Sequence, residues 1–266
     1  MSVSFHKMHG LGNDFVILDA RETAIEPTKA QRRALCDRHR GVGCDQLIRI
    51  RPSARAVIAM DIWNADGGEA EACGNATRCV AALTGATTIE TAGGMLEAAE
   101  IGDEISVRLP PPRFEWDAIP MADPVDTFPV PMGWGPFDRP DAVNVGNPHL
   151  VFFVENGEEA MLGEHGASIE RDPAFPDRIN VNVATVEDKA LNLRTFERGV
   201  GLTQACGTGA CATAVAAIRR RLVVSPVEVR MAGGSLTISW APGEPILMQG
   251  GATHVFSGEI DLEALA

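Results

Sequence analysis

The chain is written twice. Residues 62–75 read IWNADGGEAEACGN and residues 195–208 read TFERGVGLTQACGT. Aligned, they share an aromatic residue (Trp63, Phe196), a glycine (Gly68, Gly201) and an Ala-Cys-Gly ending, 133 positions apart. Gly12-Asn13 opens GNDFVIL, and Gly146-Asn147 opens GNPHLVF 134 positions later. TAGGML from Thr91 is matched by MAGGSL from Met231, at a spacing of 140. Three matches in one order at nearly constant spacing read as a duplicated domain, a different object from a solenoid of many short repeats. Between the copies, residues 109–141 are rich in proline and poor in periodicity, as a connector is. The boundary is set near residue 117, giving domains 1–117 and 118–266, with the final residues packing back on the first half.

Short apolar or alternating runs predict strands at 15–18, 57–62, 105–109, 149–154, 180–183, 191–196 and 236–240. Helices are predicted over 29–38, 75–83, 158–169 and 208–221. The two that follow the Cys-Gly pairs, with ATRCVAAL and GACATAVAAI, are small and apolar on nearly all sides, which marks buried helices. The expected fold class is α+β: two homologous domains, each a mixed sheet or barrel wrapped around a central helix.

Composition narrows the function. The net charge is −13, with 23 Lys+Arg against 36 Asp+Glu, the wrong field for contacting phosphates, so no nucleic-acid partner is expected. The basic run Arg219 to Arg221 reads as cations at a helix C-terminus. No run approaches the roughly 18 apolar residues of a membrane span, and MSVSFHKMHG lacks an apolar signal core, so a cytoplasmic protein with no membrane partner is expected. The six cysteines are then free thiols. Cys79 and Cys211 lie inside predicted helices and read as core packing, while Cys36 and Cys44 have no matched counterpart and receive no role.

Cys73 and Cys206 differ from these because each immediately precedes a buried helix. The glycine after each lets the backbone turn tightly, and Asn75 and Thr208 suit a helix start. The first N–H groups of a helix lack internal partners and carry about half a positive charge. Such a start holds a carboxylate without lysine or arginine, and it is expected to lower a thiol's pKa from its ordinary value of about 8.5. Two related halves facing one cleft would put a sulfur on each face of one α-carbon. One thiolate removes the proton, the opposite thiol returns one, and the stereocentre inverts.

These residues resemble the diaminopimelate epimerase family along almost the whole chain. The resemblance lies in KMHGLGNDFVILD, GVGCDQLI, IWNADGGEAEACGN, VGNPH, RINVN, ERGVGLTQACGTGACA and GGATHVFSGEI. It implies interconversion of LL- and meso-2,6-diaminopimelate for lysine and cell-wall precursor synthesis, a homodimer and no cofactor. It assigns proton transfer to Cys73 and Cys206, with His149 and Glu197 assisting. It implies substrate contacts from Asn13, Gln46, Asn64, Asn147, Asn180, Glu197 and Arg198, and a backbone grip on the reacting carboxylate at Gly74-Asn75 and Gly207-Thr208. The residue types suit a substrate with an amino acid at each end: Glu197 accepts from ammonium, Arg198 forks onto carboxylate, and each Asn does both. Phe256 stands where many family members place a tyrosine at the dimer contact.

Three rival classes are weaker. A pyridoxal-phosphate racemase needs a Schiff-base lysine, and none of Lys7, Lys29 and Lys189 sits in a phosphate-cradling context. The cysteine spacings 73–79 and 206–211 do not match the short pairs of structural zinc, so no metal is expected. GLG at Gly10 and GVG at Gly199 do not complete a dinucleotide fingerprint. Within the enzyme class, the alternative is a related racemase acting on proline or hydroxyproline.

Overall fold

A computed structural model of the chain describes residues 2–70, 73–155 and 161–265. They group into two compact units, Met1–Val107 with Gly250–Ala266, and Arg108–Gln249. The first unit runs β1 (Ser2–Gly10), β2 (Asn13–Asp19), α1 (Lys29–Cys36), β3 (Gln46–Arg51), β4 (Ile58–Asn64), β5 (Glu69–Ala70), α2 (Gly74–Thr84), β6 (Thr88–Thr91), β7 (Gly94–Ile101) and β8 (Glu104–Leu109). The second runs β9 (Gly133–Trp134), β10 (Phe137–Asp138), β11 (Asp141–Asn144), β12 (Pro148–Phe153), α3 (Leu162–Glu170), β13 (Asn180–Glu187), β14 (Ala190–Glu197), β15 (Gly201–Thr203), α4 (Gly207–Arg219), β16 (Val227–Met231), β17 (Gly234–Ser239) and β18 (Ile246–Gly250). The last strand, β19 (Thr253–Asp261), belongs to the first unit and pairs antiparallel with β1.

The duplication repeats ladder by ladder. In the first unit β2 pairs β3 in parallel and β3 pairs β4 antiparallel. Strand β4 also takes β5 antiparallel and β6 in parallel, and β6 pairs β7 antiparallel. In the second unit β12–β13, β13–β14, β14–β15, β14–β16 and β16–β17 repeat these five pairings in the same senses. Registers correspond too. Phe15 faces Gln46 as His149 faces Asn180, and Ile62 faces Ala70 as Thr195 faces Thr203. Thr91 faces Gly94 as Met231 faces Gly234. The spacings of 133, 134 and 140 read from the sequence are therefore the spacings of hydrogen-bonded ladders.

Each unit wraps its strands around one helix, the two-domain α+β arrangement expected. Helix α2 packs against β1, β2, β7 and β19, and α4 against β11 to β14, β16 and β17. Ala210, Ala212, Ala214 and Ala217 are fully buried, so α4 lets strands approach closely while keeping high helix propensity. Helix α2 stops at Gly85, whose φ of +68° is the left-handed cap that glycine adopts freely. Helix α4 ends at Arg219, two residues before the predicted end. There Arg220 forks onto buried Asp141 at 2.7 and 2.8 Å, and Arg219 stacks over Phe128 at 4.1 Å. The helix predicted from Glu158 is observed from Leu162; residues 158–160 lie outside the described residues. Among the described residues no helix is long and apolar enough to cross a membrane.

Candidate active site

Each unit places one cysteine as the residue that opens its central helix, in extended backbone. Cys73 has φ −147° and ψ 113°, and Cys206 has φ −126° and ψ 108°. The first intrahelical bonds run from Thr77 N–H to Cys73 O and from Ala210 N–H to Cys206 O, both at 2.9 Å. The N–H groups of Gly74 and Asn75, and of Gly207 and Thr208, precede those bonds and point out of the helix start. Glu71 and Ala72 of the first motif lie outside the described residues.

In the first unit Asn13 sits at the head of β2 and gathers the helix start. Its Oδ1 accepts from Asn75 Nδ2 at 3.2 Å and from the Cys73 thiol at 3.8 Å. Its Nδ2 donates to Asp45 Oδ2 at 3.0 Å. The Asn75 amide is fixed from below by Arg78, which is fully buried and donates to Asn75 Oδ1 at 2.8 Å. Gly10 makes room for this pair: a Cβ there would lie 3.1 Å from the guanidinium. Gln46 and Asn64 are opposite one another on the β3–β4 ladder, and Gln46 Nε2 donates to Asn64 Oδ1 at 2.9 Å. Gln46 Oε1 is left buried without a hydrogen-bond partner.

In the second unit Cys206 Sγ accepts from Gly209 N–H at 3.3 Å and lies 3.6 Å from Thr208 Oγ1. Burial first, and then the Glu197 carboxylate beside it, push this thiol well above its ordinary range; the Thr208 and Gly209 hydrogen bonds pull the other way without prevailing. The expectation that the helix start lowers this pKa is thus corrected. It weighed the helix dipole and omitted desolvation and a neighbouring negative charge. Glu197 is held across the β14–β15 turn by Thr203 Oγ1 at 2.6 Å. Asn180 accepts from Arg198 N–H at 3.0 Å and donates to Pro148 O at 2.8 Å. The Arg198 guanidinium donates to Asp177 O at 3.1 Å.

His149 is wholly buried. Its Nε2 lies 2.9 Å from Asn147 Oδ1 and its Nδ1 lies 3.0 Å from Asn182 Nδ2. Desolvation, helped by the Arg198 charge, holds its pKa down to about 3, so it is a neutral imidazole near pH 7.

Comparison with known proteins decides the family. A model of the family described as diaminopimelate epimerase matches residues 5–113 and 141–255. A diaminopimelate epimerase of Rhizorhabdus wittichii is 61% identical, covering 99% of this chain and 97% of that one. The chain belongs to the diaminopimelate epimerase family. A second member, from Sphingopyxis alaskensis, is 57% identical over 98% of both chains. The crystal structure of a hydroxyproline epimerase from Agrobacterium vitis has a TM-score of 0.67, covering 97% of this chain and 92% of that one. At 17% identity that likeness shows the fold alone.

Within this epimerase-family chain, Asn13, Cys73, Gly74 and Asn75 come together at one helix start, with Gln46 and Asn64 paired on the neighbouring ladder. Asn147 and His149 are hydrogen-bonded, Asn180 holds the backbone of Arg198, and Glu197 stands by Cys206 with Gly207 and Thr208 at the α4 start. Arg78, Asp45, Asn182 and Thr195 escaped the sequence reading. Arg78 was absorbed into an apparently apolar helix, although one charged residue in ATRCVAAL was a signal. Asn182 shares a strand face with Asn180, two residues away, and that spacing was the available clue.

Proposed function

We propose that the chain epimerises LL-2,6-diaminopimelate to the meso isomer without a cofactor, with Cys73 acting on one face of the reacting α-carbon and Cys206 on the other. One observation carries this reading: both copies put a cysteine at the matching position, opening the central helix. One sulfur, as thiolate, takes the α-proton and becomes a thiol. The resulting carbanion spreads charge into the carboxylate, where the N–H groups of Gly74-Asn75 and Gly207-Thr208 meet it. The other sulfur, as thiol, delivers a proton to the opposite face and becomes thiolate. Proton and charge balance, and the reverse reaction exchanges the two roles.

In this reading Asn13, Gln46, Asn64, Asn147 and Asn180 hold the polar ends of the substrate. Arg198 takes a carboxylate and Glu197 an ammonium. Gln46 Oε1, buried without a partner, supplies an acceptor for a substrate N–H. His149, neutral and enclosed, orients its neighbours rather than exchanging protons with the substrate. Cytoplasmic location and a homodimer belong to the same proposal. Phe256 on β19 is 46% exposed with Phe5 packed edge-on against it at 5.9 Å, an apolar surface for a second copy.

Incubation with LL-diaminopimelate and, separately, L-proline, followed by chiral chromatography, tests the substrate. Meso-diaminopimelate with unchanged proline is expected. Racemised proline with unchanged diaminopimelate would overturn the reading in favour of its nearest rival.

A further inference from the structure

The second unit carries a line of buried polar side chains whose hydrogen bonds all run one way. Its fixed point is the backbone carbonyl of Leu150, which only accepts, and Asn182 Nδ2 donates to it at 2.9 Å. That contact orients the amide. The second hydrogen on Nδ2 faces His149 Nδ1 at 3.0 Å, and Asn182 Oδ1 faces Thr195 Oγ1 at 3.0 Å. Thr195 stands directly opposite Asn182 on the β13–β14 ladder, so the register itself supplies this partner. Because an amide N–H cannot accept, His149 Nδ1 carries no proton and Nε2 does. Nε2–H then donates to Asn147 Oδ1 at 2.9 Å. The line thus ends by occupying the oxygen of a half-buried asparagine amide, whose two N–H donors are left for other partners.

The fold does not require this line. At the matching ladder positions of the first unit stand Phe15, Ile48 and Ile62, all buried and apolar. The same backbone therefore has an apolar solution within the same chain, and buried polar groups are unfavourable unless fully hydrogen-bonded. Retaining His149, Asn182 and Thr195, each at most 3% exposed, points to a task beyond packing.

We propose that Asn182 is a positioning residue for Asn147: by locking His149 as the Nε2–H tautomer, it turns the Asn147 amide so that its N–H groups meet a carboxylate oxygen of the substrate. The tautomer is a property of the chain alone, while the contact with substrate rests on the functional reading above.

Nitrogen-15 NMR of the substrate-free wild-type protein reads the tautomer directly. The expected spectrum has His149 Nε2 protonated and Nδ1 bare, unchanged between pH ~5 and ~8. A protonated Nδ1, or titration within that range, would overturn the proposal. In Asn182→Asp the carboxylate accepts instead, so Nδ1 gains a proton. The value of kcat/KM is expected to fall about 100-fold, mainly through KM. A switched tautomer with unchanged KM would break the link to Asn147. Because the wild-type spectrum needs neither substrate nor variant, failure of diaminopimelate turnover would sink the functional reading separately.

Discussion

On strands β2, β3 and β4 of the first copy the side chains Phe15, Ile48 and Ile62 are apolar; on β12, β13 and β14 of the second, His149, Asn182 and Thr195 replace them. Two further exchanges concern charge. Arg78 lies buried within α2, where α4 has Cys211, and Asn64 ends β4 where Glu197 ends β14. The copies have thus kept the main-chain hydrogen bonds that the backbone cannot do without. They have diverged in the polar and charged side chains carried on those ladders and helices. The first copy has a buried cation two hydrogen bonds away from the Asn13 that receives the Cys73 thiol. The second has a carboxylate against Cys206, which is a thiol near neutral pH. In the proposed thiol/thiolate pair one member holds a proton while the other lacks it, and unequal surroundings favour one of the two arrangements.

Unequal surroundings do not make either cysteine dispensable. Cys73→Ala and Cys206→Ala are each expected to lower the rate of epimerisation by at least about 10⁴-fold in both directions, read from initial rates. A variant that retained one direction would break the symmetry of need. The next effect concerns packing. A Cβ at Gly209 would lie 2.6 Å from Asn182 Oδ1 and 2.9 Å from Thr195 Oγ1, whereas the matching residue of α2 is already Ala76. Gly209→Ala should destabilise the protein by about 1–3 kcal/mol in urea unfolding, although alanine is the better helix former. The opposite exchange, Ala76→Gly, should cost about 1 kcal/mol through propensity. Stabilisation by Gly209→Ala would refute the close approach of α4 to the polar line.

A further effect, confined to acid, is a slope against pH. Burial holds the pKa of folded His149 down to about 3, against its ordinary 6.5. Between those values the unfolded chain binds the additional proton, so stability falls as pH drops from 6.5 towards 3 and is unaffected above it. The contribution approaches about 1.4 kcal/mol per pH unit. His149→Phe, which installs the first copy's residue, should flatten that slope; an unchanged slope would mean that His149 is protonated in the folded protein.

The duplication was legible because it is a property of spacing, and the ladders carry the same offsets. The central helices were legible from their small apolar residues. Other strands were not. β3 reads QLIRIR, and its Arg49 is buried by pairing with Asp61 on β4, a tertiary contact that no local pattern announces. β7 reads GMLEAAEI, with Ala and Glu favouring a helix, and becomes a strand by pairing with β6. Within the site the cysteines stood out through their matched contexts. Asn182 and Thr195 did not, since their roles arise only once β13 and β14 set them opposite each other. The Cys206 thiol was read in the wrong direction for a related reason: the helix start is local and visible, while burial and Glu197 are supplied by the fold.

The central claim is that proton removal and proton return use different sulfurs. Epimerisation of LL-diaminopimelate in D₂O, stopped at low conversion, tests it through the isotopic content of both isomers. The account predicts solvent deuterium at the α-carbon of the meso product and none in the remaining substrate. Deuterium entering the recovered substrate as fast as the product would mean that a single group serves both faces, and would contradict it.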